Sequence, residues 1–200
     1  MTIVWPTELD VDGYAMADRD VAAPRPDCPA CQKPMRFWGW YERDVRVTAE
    51  VIHRLPVRRA HCRACDRSHA LLAGFATWGR LDAVEVIGSA LEAMCGGAGA
   101  RPVAEALDLK HTTVRGWRRR FARRAALLAV GFCRYVVAVG DLAPRLSGRP
   151  DAVAAAAAKA AWAAARRRFG DGVGALWRVA NAVVGGHLLS TNTDPPWAAA

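Results

Sequence analysis

The sequence predicts an α+β chain with its strands early and its helices late. Three observations carry that prediction. Two identically spaced cysteine pairs, Cys28/Cys31 and Cys62/Cys65, bracket a segment of about 30 residues. Inside that segment, aromatic and β-branched residues alternate with charged ones, the two-residue period of a half-buried strand. From Arg80 onward the apolar positions recur at the spacing of a helix instead.

The elements follow in order. Residues 1–27 mix Glu8, Asp10, Asp12, Asp18 and Asp20 with Pro6, Pro24 and Pro26, and predict a loop-like, partly disordered leader with a short apolar contact from Ile3, Val4 and Trp5. The aromatic run Arg36 to Tyr41 predicts a first strand. Val45, Val47, Ala49 and Val51, alternating with Arg46, Thr48 and Glu50, predict a second. Pro56 predicts that Val57 to His61 is an edge strand. Val84, Ile87, Gly88, Leu91 and Met94 share one helical face over Arg80 to Cys95, and Gly96-Gly97-Ala98-Gly99 ends that helix. Val103 to Leu107 predicts a short second helix, and Thr112 to about Leu128 a third. Ala152 to Phe169 is helical by its alanine content, Ala175 to Leu189 is a last amphipathic helix, and Thr191 to Ala200 reads as a frayed tail.

The cysteines carry the first chemistry. A two-residue gap lets both sulfurs of a tight turn face one ion, and two such pairs make a closed four-sulfur set suited to tetrahedral zinc at about 2.3 Å. Such a site has no open position for water, which makes Zn2+ structural here and excludes metal-assisted catalysis. The nucleobase-deaminase arrangement needs a His-x-Glu motif, and none of His53, His61, His69, His111 or His187 has a glutamate two residues on. His61 and His69 flank the second pair as outer or exposed groups rather than ligands. Cys95 and Cys133 lie in apolar helical sequence and read as small core residues. Trp38, Trp40 and Tyr41 read as core of the sheet.

The second chemistry is cationic. The chain carries a formal net charge of +9, which favours an anionic partner. That charge is concentrated: Arg115, Arg118, Arg119, Arg120, Arg123 and Arg124 fall within the third predicted helix. Val103 to Leu107, the turn Asp108-Leu109-Lys110 and the helix from His111 fit helix-turn-helix arithmetic. Leu109 is placed to plug the angle, and Val114, Trp117, Phe121 and Leu128 to face the core. The residues left facing outward predict duplex DNA contacts by Lys110, His111, Thr112, Thr113, Arg115, Arg118, Arg119 and Arg123. Arg115 is the best-placed guanine reader, while Arg118, Arg120, Arg123 and Arg124 suit phosphates or solvent, with Arg101 at the flank. Arg58, Arg59 and Arg63 could touch backbone from the sheet.

The predicted architecture is therefore a small β-rich zinc ribbon (28–79), a three-helix helix-turn-helix (80–126) and an α-helical C-terminal extension (127–190), between a leader (1–27) and a flexible tail (191–200). The extension is a candidate for homodimerisation. The longest apolar run, Leu127 to Val139, contains Arg134 and is short of the roughly 20 residues a spanning helix needs. No secretory signal opens the chain. A cytoplasmic, nucleoid-associated protein without a membrane partner is the expectation.

Cys62-Arg63-Ala64-Cys65, the stretches Arg67 to Leu72 and Arg80 to Gly88, and Thr113 to Phe121 together resemble a functionally unassigned bacterial family. Its zinc ribbon and helix-turn-helix are similar to the N-terminal DNA-binding region of insertion-sequence transposases. The resemblance covers Cys28 to Arg124 and implies DNA binding linked to a mobile element, with Cys28, Cys31, Cys62 and Cys65 on zinc and a transposase as a candidate protein partner. The chain departs from it at Lys110-His111, a poor helix start. It also lacks an acidic catalytic triad: after Arg124 the acids are Asp141, Asp151, Asp171 and Asp194, in Ala/Gly-rich sequence without strand signals. The expectation is a non-enzymatic, sequence-specific DNA-binding protein. A regulator of host genes and a zinc-ribbon module docking another protein are the alternatives.

Overall fold

The computed structural model describes residues 2–190, and the predicted tail at 191–200 lies outside them. These residues form a mixed α+β fold of four strands and six helices. Strands β1 (Thr2–Trp5), β2 (Arg36–Arg46), β3 (Ile52–Cys62) and β4 (Arg67–Ala73) make one sheet in the order β1-β4-β3-β2. Helix α1 (Val11–Ala17) packs on the sheet. Helices α2 (Val84–Cys95), α3 (Ala100–Ala106), α4 (His111–Ala138), α5 (Pro150–Phe169) and α6 (Leu176–Val183) form a second layer.

The leader departs from its prediction as a loop. Ile3, Val4 and Trp5 are apolar enough to add a parallel edge strand to β4, with Thr2 opposite Ala70 and Trp5 opposite Ala73. Asp10 then caps α1, its carboxylate accepting from the Gly13 N–H at 2.7 Å. Tyr14 of α1 is buried, meets the Phe75 ring edge-on at 5.3 Å and donates its hydroxyl to the Pro56 carbonyl at 3.1 Å.

Two strand assignments also change. β2 is one 11-residue strand, with a bulge between Phe37 and Gly39. The alternating residues after Val45 make the hairpin turn instead, where the Val47 N–H reaches the Val51 carbonyl at 2.9 Å and the Thr48 hydroxyl accepts from the Val51 N–H. β3 is an interior strand, not an edge, because β1 and β4 lie beyond it. Pro56 is tolerated there because pairing with β4 runs only from Arg58 to Cys62. An extended residue points its carbonyl and its nitrogen to the same side, so the carbonyl that takes Tyr14 marks a side where no ladder donor is needed.

Helix α4 is longer than predicted, 28 residues, and runs through the boundary expected at 126/127. One hydrophobic core joins both sides of that boundary, from Val84 and Leu91 through Trp117, Phe121 and Phe132 to Ala161, Trp177 and Leu189. The C-terminal helices thus complete the core of α2–α4 rather than extend it. Alanines make this possible: Ala154, Ala157, Ala158, Ala161 and Ala164 of α5 are all buried, and such small side chains let α4 and α5 lie close. Pro150 opens α5 at a position where no N–H is required.

α6 fastens the helical layer to the sheet. The buried Asn181 amide donates to the Gly74 and Ala76 carbonyls at 2.9 and 3.0 Å and accepts from the Thr77 hydroxyl. Arg178 donates to Glu85 of α2 and to the Leu9 carbonyl of the leader. At the other end, Arg46 of β2 pairs with Asp82 at 2.6 Å, and its backbone bonds Leu81 and Ala83 just before α2.

Candidate metal centre and cationic helix

The two cysteine turns are built alike. In each, the first cysteine thiol accepts backbone hydrogen bonds from the residues two and three on, Ala30 and Cys31 for Cys28, Ala64 and Cys65 for Cys62. The second accepts from the residue two on, Lys33 for Cys31 and Arg67 for Cys65. Both turns then need a left-handed residue to leave, Gln32 at φ 57° and Asp66 at φ 54°. Aspartate visits that region more easily than most residues. The sequence sign of this likeness is a polar residue after each second cysteine, Gln32 and Asp66.

The sheet brings the two turns together. β3 ends at Cys62, and the turn holding Cys28 and Cys31 closes with the Cys28 N–H on the Lys33 carbonyl at 2.9 Å. Cys28 and Cys65 sulfurs lie 3.5 Å apart and Cys31 and Cys62 sulfurs 3.4 Å apart, and all four fall within 4.8 Å of one another. Sulfurs at about 2.3 Å from a tetrahedral ion would stand roughly 3.8 Å apart, so this cluster has the size of a four-thiolate metal site. All four cysteines are free of disulfides.

The four crowded thiols shift one another's protonation in opposite directions. Burial raises the Cys28 thiol, but the N–H groups of Ala30 and Cys31 and the Cys65 thiol bring it below its ordinary value. Cys62 is likewise opposed by burial and is lowered to about 7, by the N–H groups of Cys65 and Ala64 and by the Cys31 thiol. Burial and the three neighbouring thiols push Cys65 up to about 12. Four bare thiolates would repel one another at this spacing, and a divalent cation removes that conflict by replacing the protons.

Neither flanking histidine joins the set. His69 is buried with Nε2 at 3.7 Å from the Cys28 sulfur, placed to support a ligand rather than to be one. His61 pairs with Asp66 at 2.9 Å. Cys95 and Cys133 are half-buried against the helical core, Cys95 donating to the Asp151 carbonyl.

The second candidate site is the outward side of α4. Four residues, Leu107 to Lys110, turn α3 into α4; Asp108 is left-handed at φ 50° and the Leu109 N–H returns to the Ala104 carbonyl at 2.9 Å. Leu109 packs against the core, and Val114, Trp117, Phe121 and Leu128 are buried, as their spacing predicts. α4 begins at His111 with Lys110 ahead of it and no side-chain cap.

The predicted contact residues divide in three. Lys110, Thr112, Arg115, Arg119 and Arg123 are exposed, and His111 and Thr113 are half-exposed at the helix start. His111, Arg115, Arg119 and Arg123 repeat every four residues and so form one stripe. The three arginines of that stripe have no ion-pair partner among the described residues. Arg118 is half-exposed and stands 3.9 Å from Asp151 of α5, so part of its charge is spent inside the protein.

Arg124 does not belong with the exposed arginines. It is 8% exposed and donates to the Ser190 carbonyl at 2.7 Å, which makes it a tie to the C-terminal segment. The aromatic run of β2 also departs from its prediction as core: Trp38 and Tyr41 are exposed and Trp40 half-exposed. Arg58 lies 3.9 Å over Trp40 and Arg59 4.5 Å over Trp38, so these cations are stacked on rings.

Among the described residues no helix is long and apolar enough to cross a membrane. Residues 28–117 match a family model described as a domain of unknown function (DUF6431). That match takes in both cysteine turns, β2 to β4, α2, α3 and the start of α4 up to Trp117. No curated protein and no solved structure matches the chain.

Proposed function

We propose that this protein binds duplex DNA, with α3 and α4 acting as a helix-turn-helix and the four-cysteine sheet as a zinc ribbon that braces it. The observation that carries the reading is the stripe His111, Arg115, Arg119 and Arg123, beginning at the N-terminal turn of α4 and without an ion pair among the described residues. In such a unit the first residues of the second helix reach base edges and later cations hold phosphates. Arg115 then reads a guanine, His111, Thr112 and Thr113 contact bases or adjacent phosphates, and Arg119 and Arg123 hold the backbone. Lys110 and Arg118 add charge at the flanks. Zinc, if bound by Cys28, Cys31, Cys62 and Cys65, supplies a fixed four-point crosslink and no chemistry.

The link to mobile elements rests on resemblance to the DNA-binding region of transposases. Among the described residues after Arg124, the acids Asp141, Asp151 and Asp171 are engaged in ion pairs with Arg167, Arg149 and Arg166, which supports a binding role over a catalytic one.

Binding of labelled duplex measured against salt tests the reading. Six to eight phosphate contacts give a log–log slope of about −5 to −7. Arg115→Ala is expected to weaken the preferred site by about 1–3 kcal/mol and to relax one position of it, whereas Arg123→Ala weakens all sequences alike. Binding that is insensitive to salt and to both substitutions would overturn the proposal. Sequencing the genomic fragments retained at about 150 mM salt then separates element ends from promoters as targets.

A further inference from the structure

Large aromatic rings are normally buried, because each removes about 150–250 Å² from water. Three are left out around one side of this sheet: Trp38 is 55% exposed, Trp78 40% and Tyr41 38%. Tyr41 and Trp78 stand on the wall of an open cleft of about 450 Å³, with Arg43, Arg59, Ser68 and His69 among its other lining residues, and Trp38 lies beside it under the Arg59 guanidinium. Among the described residues no aspartate or glutamate lines it.

The geometry points to a binding cleft for single-stranded DNA, in which unpaired bases stack on Tyr41 and Trp78, with Trp38 at the rim, while Arg59 meets the phosphates. This site is separate from the α4 stripe but rests on the same reading of the protein as a DNA binder.

The rings are held ready. The Arg59 guanidinium sits 4.5 Å over Trp38 and has no ion-pair partner among the described residues, so its charge is available to a ligand. Tyr41 stands on the same strand three residues on, across from Val57 and diagonal to Arg59, whose partner is Gly39. Trp78 comes from a loop that is fixed at three points. Arg43 donates to the carbonyls of Thr77 and Arg80 on either side of it, the Trp78 N–H donates to the Gly186 carbonyl at 3.2 Å, and its ring rests 5.8 Å from His187. Rings fixed by secondary structure and by backbone hydrogen bonds lose little freedom on binding.

The chemistry selects the ligand. Every base has a π-face, so stacking on a set of fixed rings is tolerant of sequence, and cations beside the rings follow the backbone. Paired bases inside a duplex offer no free face to these rings. A cleft of cations and rings without a carboxylate favours a polyanion over an ordinary protein surface.

The metal-loaded full chain is titrated, by fluorescence anisotropy, into a labelled oligothymidylate of about a dozen nucleotides and into a mixed-sequence duplex. Trp38→Ala, Tyr41→Ala and Trp78→Ala are each expected to weaken oligothymidylate binding about tenfold, and Trp38→Phe much less, with duplex affinity unchanged. None of the three rings belongs to either buried core cluster, and unchanged circular dichroism and metal content confirm that the variants fold. Arg115→Ala/Arg119→Ala is expected to do the reverse, weakening the duplex and sparing the single strand. The inference is overturned if the wild-type chain does not bind oligothymidylate, or if binding survives all three ring substitutions as charge attraction. Parallel loss of single-strand and duplex binding in the ring variants overturns it too, since the cleft would then be a duplex clamp. If the arginine variant leaves duplex binding intact, the helix-turn-helix reading falls while the ring cleft stands.

Discussion

Gly88 has no side chain, and Trp177 uses the space. A Cβ at position 88 would fall 2.0 Å from Trp177 Cγ, closer than any neighbour can yield without moving the ring. The ring cannot move freely, since its Nε1 donates to Glu92 at 3.1 Å and Phe121 meets it edge-on at 6.3 Å. Burial alone would raise the Glu92 carboxyl, but hydrogen bonds from Lys159 and Trp177 keep it below its ordinary value, and so charged for that contact. Replacing a mid-helix glycine by alanine ordinarily gains about 1 kcal/mol, whereas overpacking a core costs about 1–3 kcal/mol or more. The clash should win, so Gly88→Ala is expected to lower the urea midpoint; an unchanged or raised midpoint would show that Trp177 does not lie on α2. The periodicity of α2 put Gly88 on its apolar face. That it faces a tryptophan 89 residues away was not legible, because a missing side chain does not announce what fills its place.

His187 gives a second residue-scale consequence. Burial, then the charge of Arg124, hold its pKa below the ordinary value. The unfolded chain takes up this proton near pH 6.5 while the folded chain resists it, so its contribution to stability is complete above about pH 6.5 and is lost as the pH falls below. The expected slope is up to about 1.4 kcal/mol per pH unit until the folded imidazole titrates. Urea midpoints at pH 7.5 and 5.5 check it: the wild type should fall further than His187→Gln, and equal falls would rule the histidine out as the cause.

At the scale of elements, the cysteine turns were the most legible part of the chain, because metal-ligand spacing is local and each pair carries its own geometry. The strands were harder. Val45, Val47, Ala49 and Val51 alternate like a strand, yet the backbone turns there because Thr48 can accept from the Val51 N–H and the Arg46–Asp82 pair ends β2. Pro56 argued for an edge, and the outcome differs because β4 stops short of it. If the cluster holds zinc, removing the ion takes away a folding contribution of about 10–16 kcal/mol, comparable to the whole stability of a typical domain. Cys62→Ser is therefore expected to lower bound zinc from about one equivalent to near zero, with loss of amide protection across β2, β3 and β4. Retained protection in a metal-free variant would mean that the sheet stands without its ion.

Taken whole, the molecule is less divided than its sequence suggests. Composition changes sharply near Ala125, from arginine-rich to alanine-rich, and a domain boundary there is a natural reading. The structure runs α4 straight across it, about 42 Å of continuous helix, and closes one core over α2 to α6. Alanine content predicts helix but says nothing about what a helix packs against, which is why α5 was legible as an element and not as a wall of the core. The leader was missed for a related reason. Four residues are too few to show a period, and Thr2–Trp5 becomes a strand only because β4 offers it an edge.

Because Trp177, Ala180 and Leu188 complete the helical core while Cys28 to Cys65 complete the sulfur cluster, the two halves become available at different times during synthesis. The roughly 120 residues between Cys65 and Leu188 take about 6–25 s to make at roughly 5–20 residues per second. For that interval the thiols can already close on an ion while the arginine helix waits for its last apolar neighbours. On the ribosome, the candidate metal site is therefore complete before the helical core is.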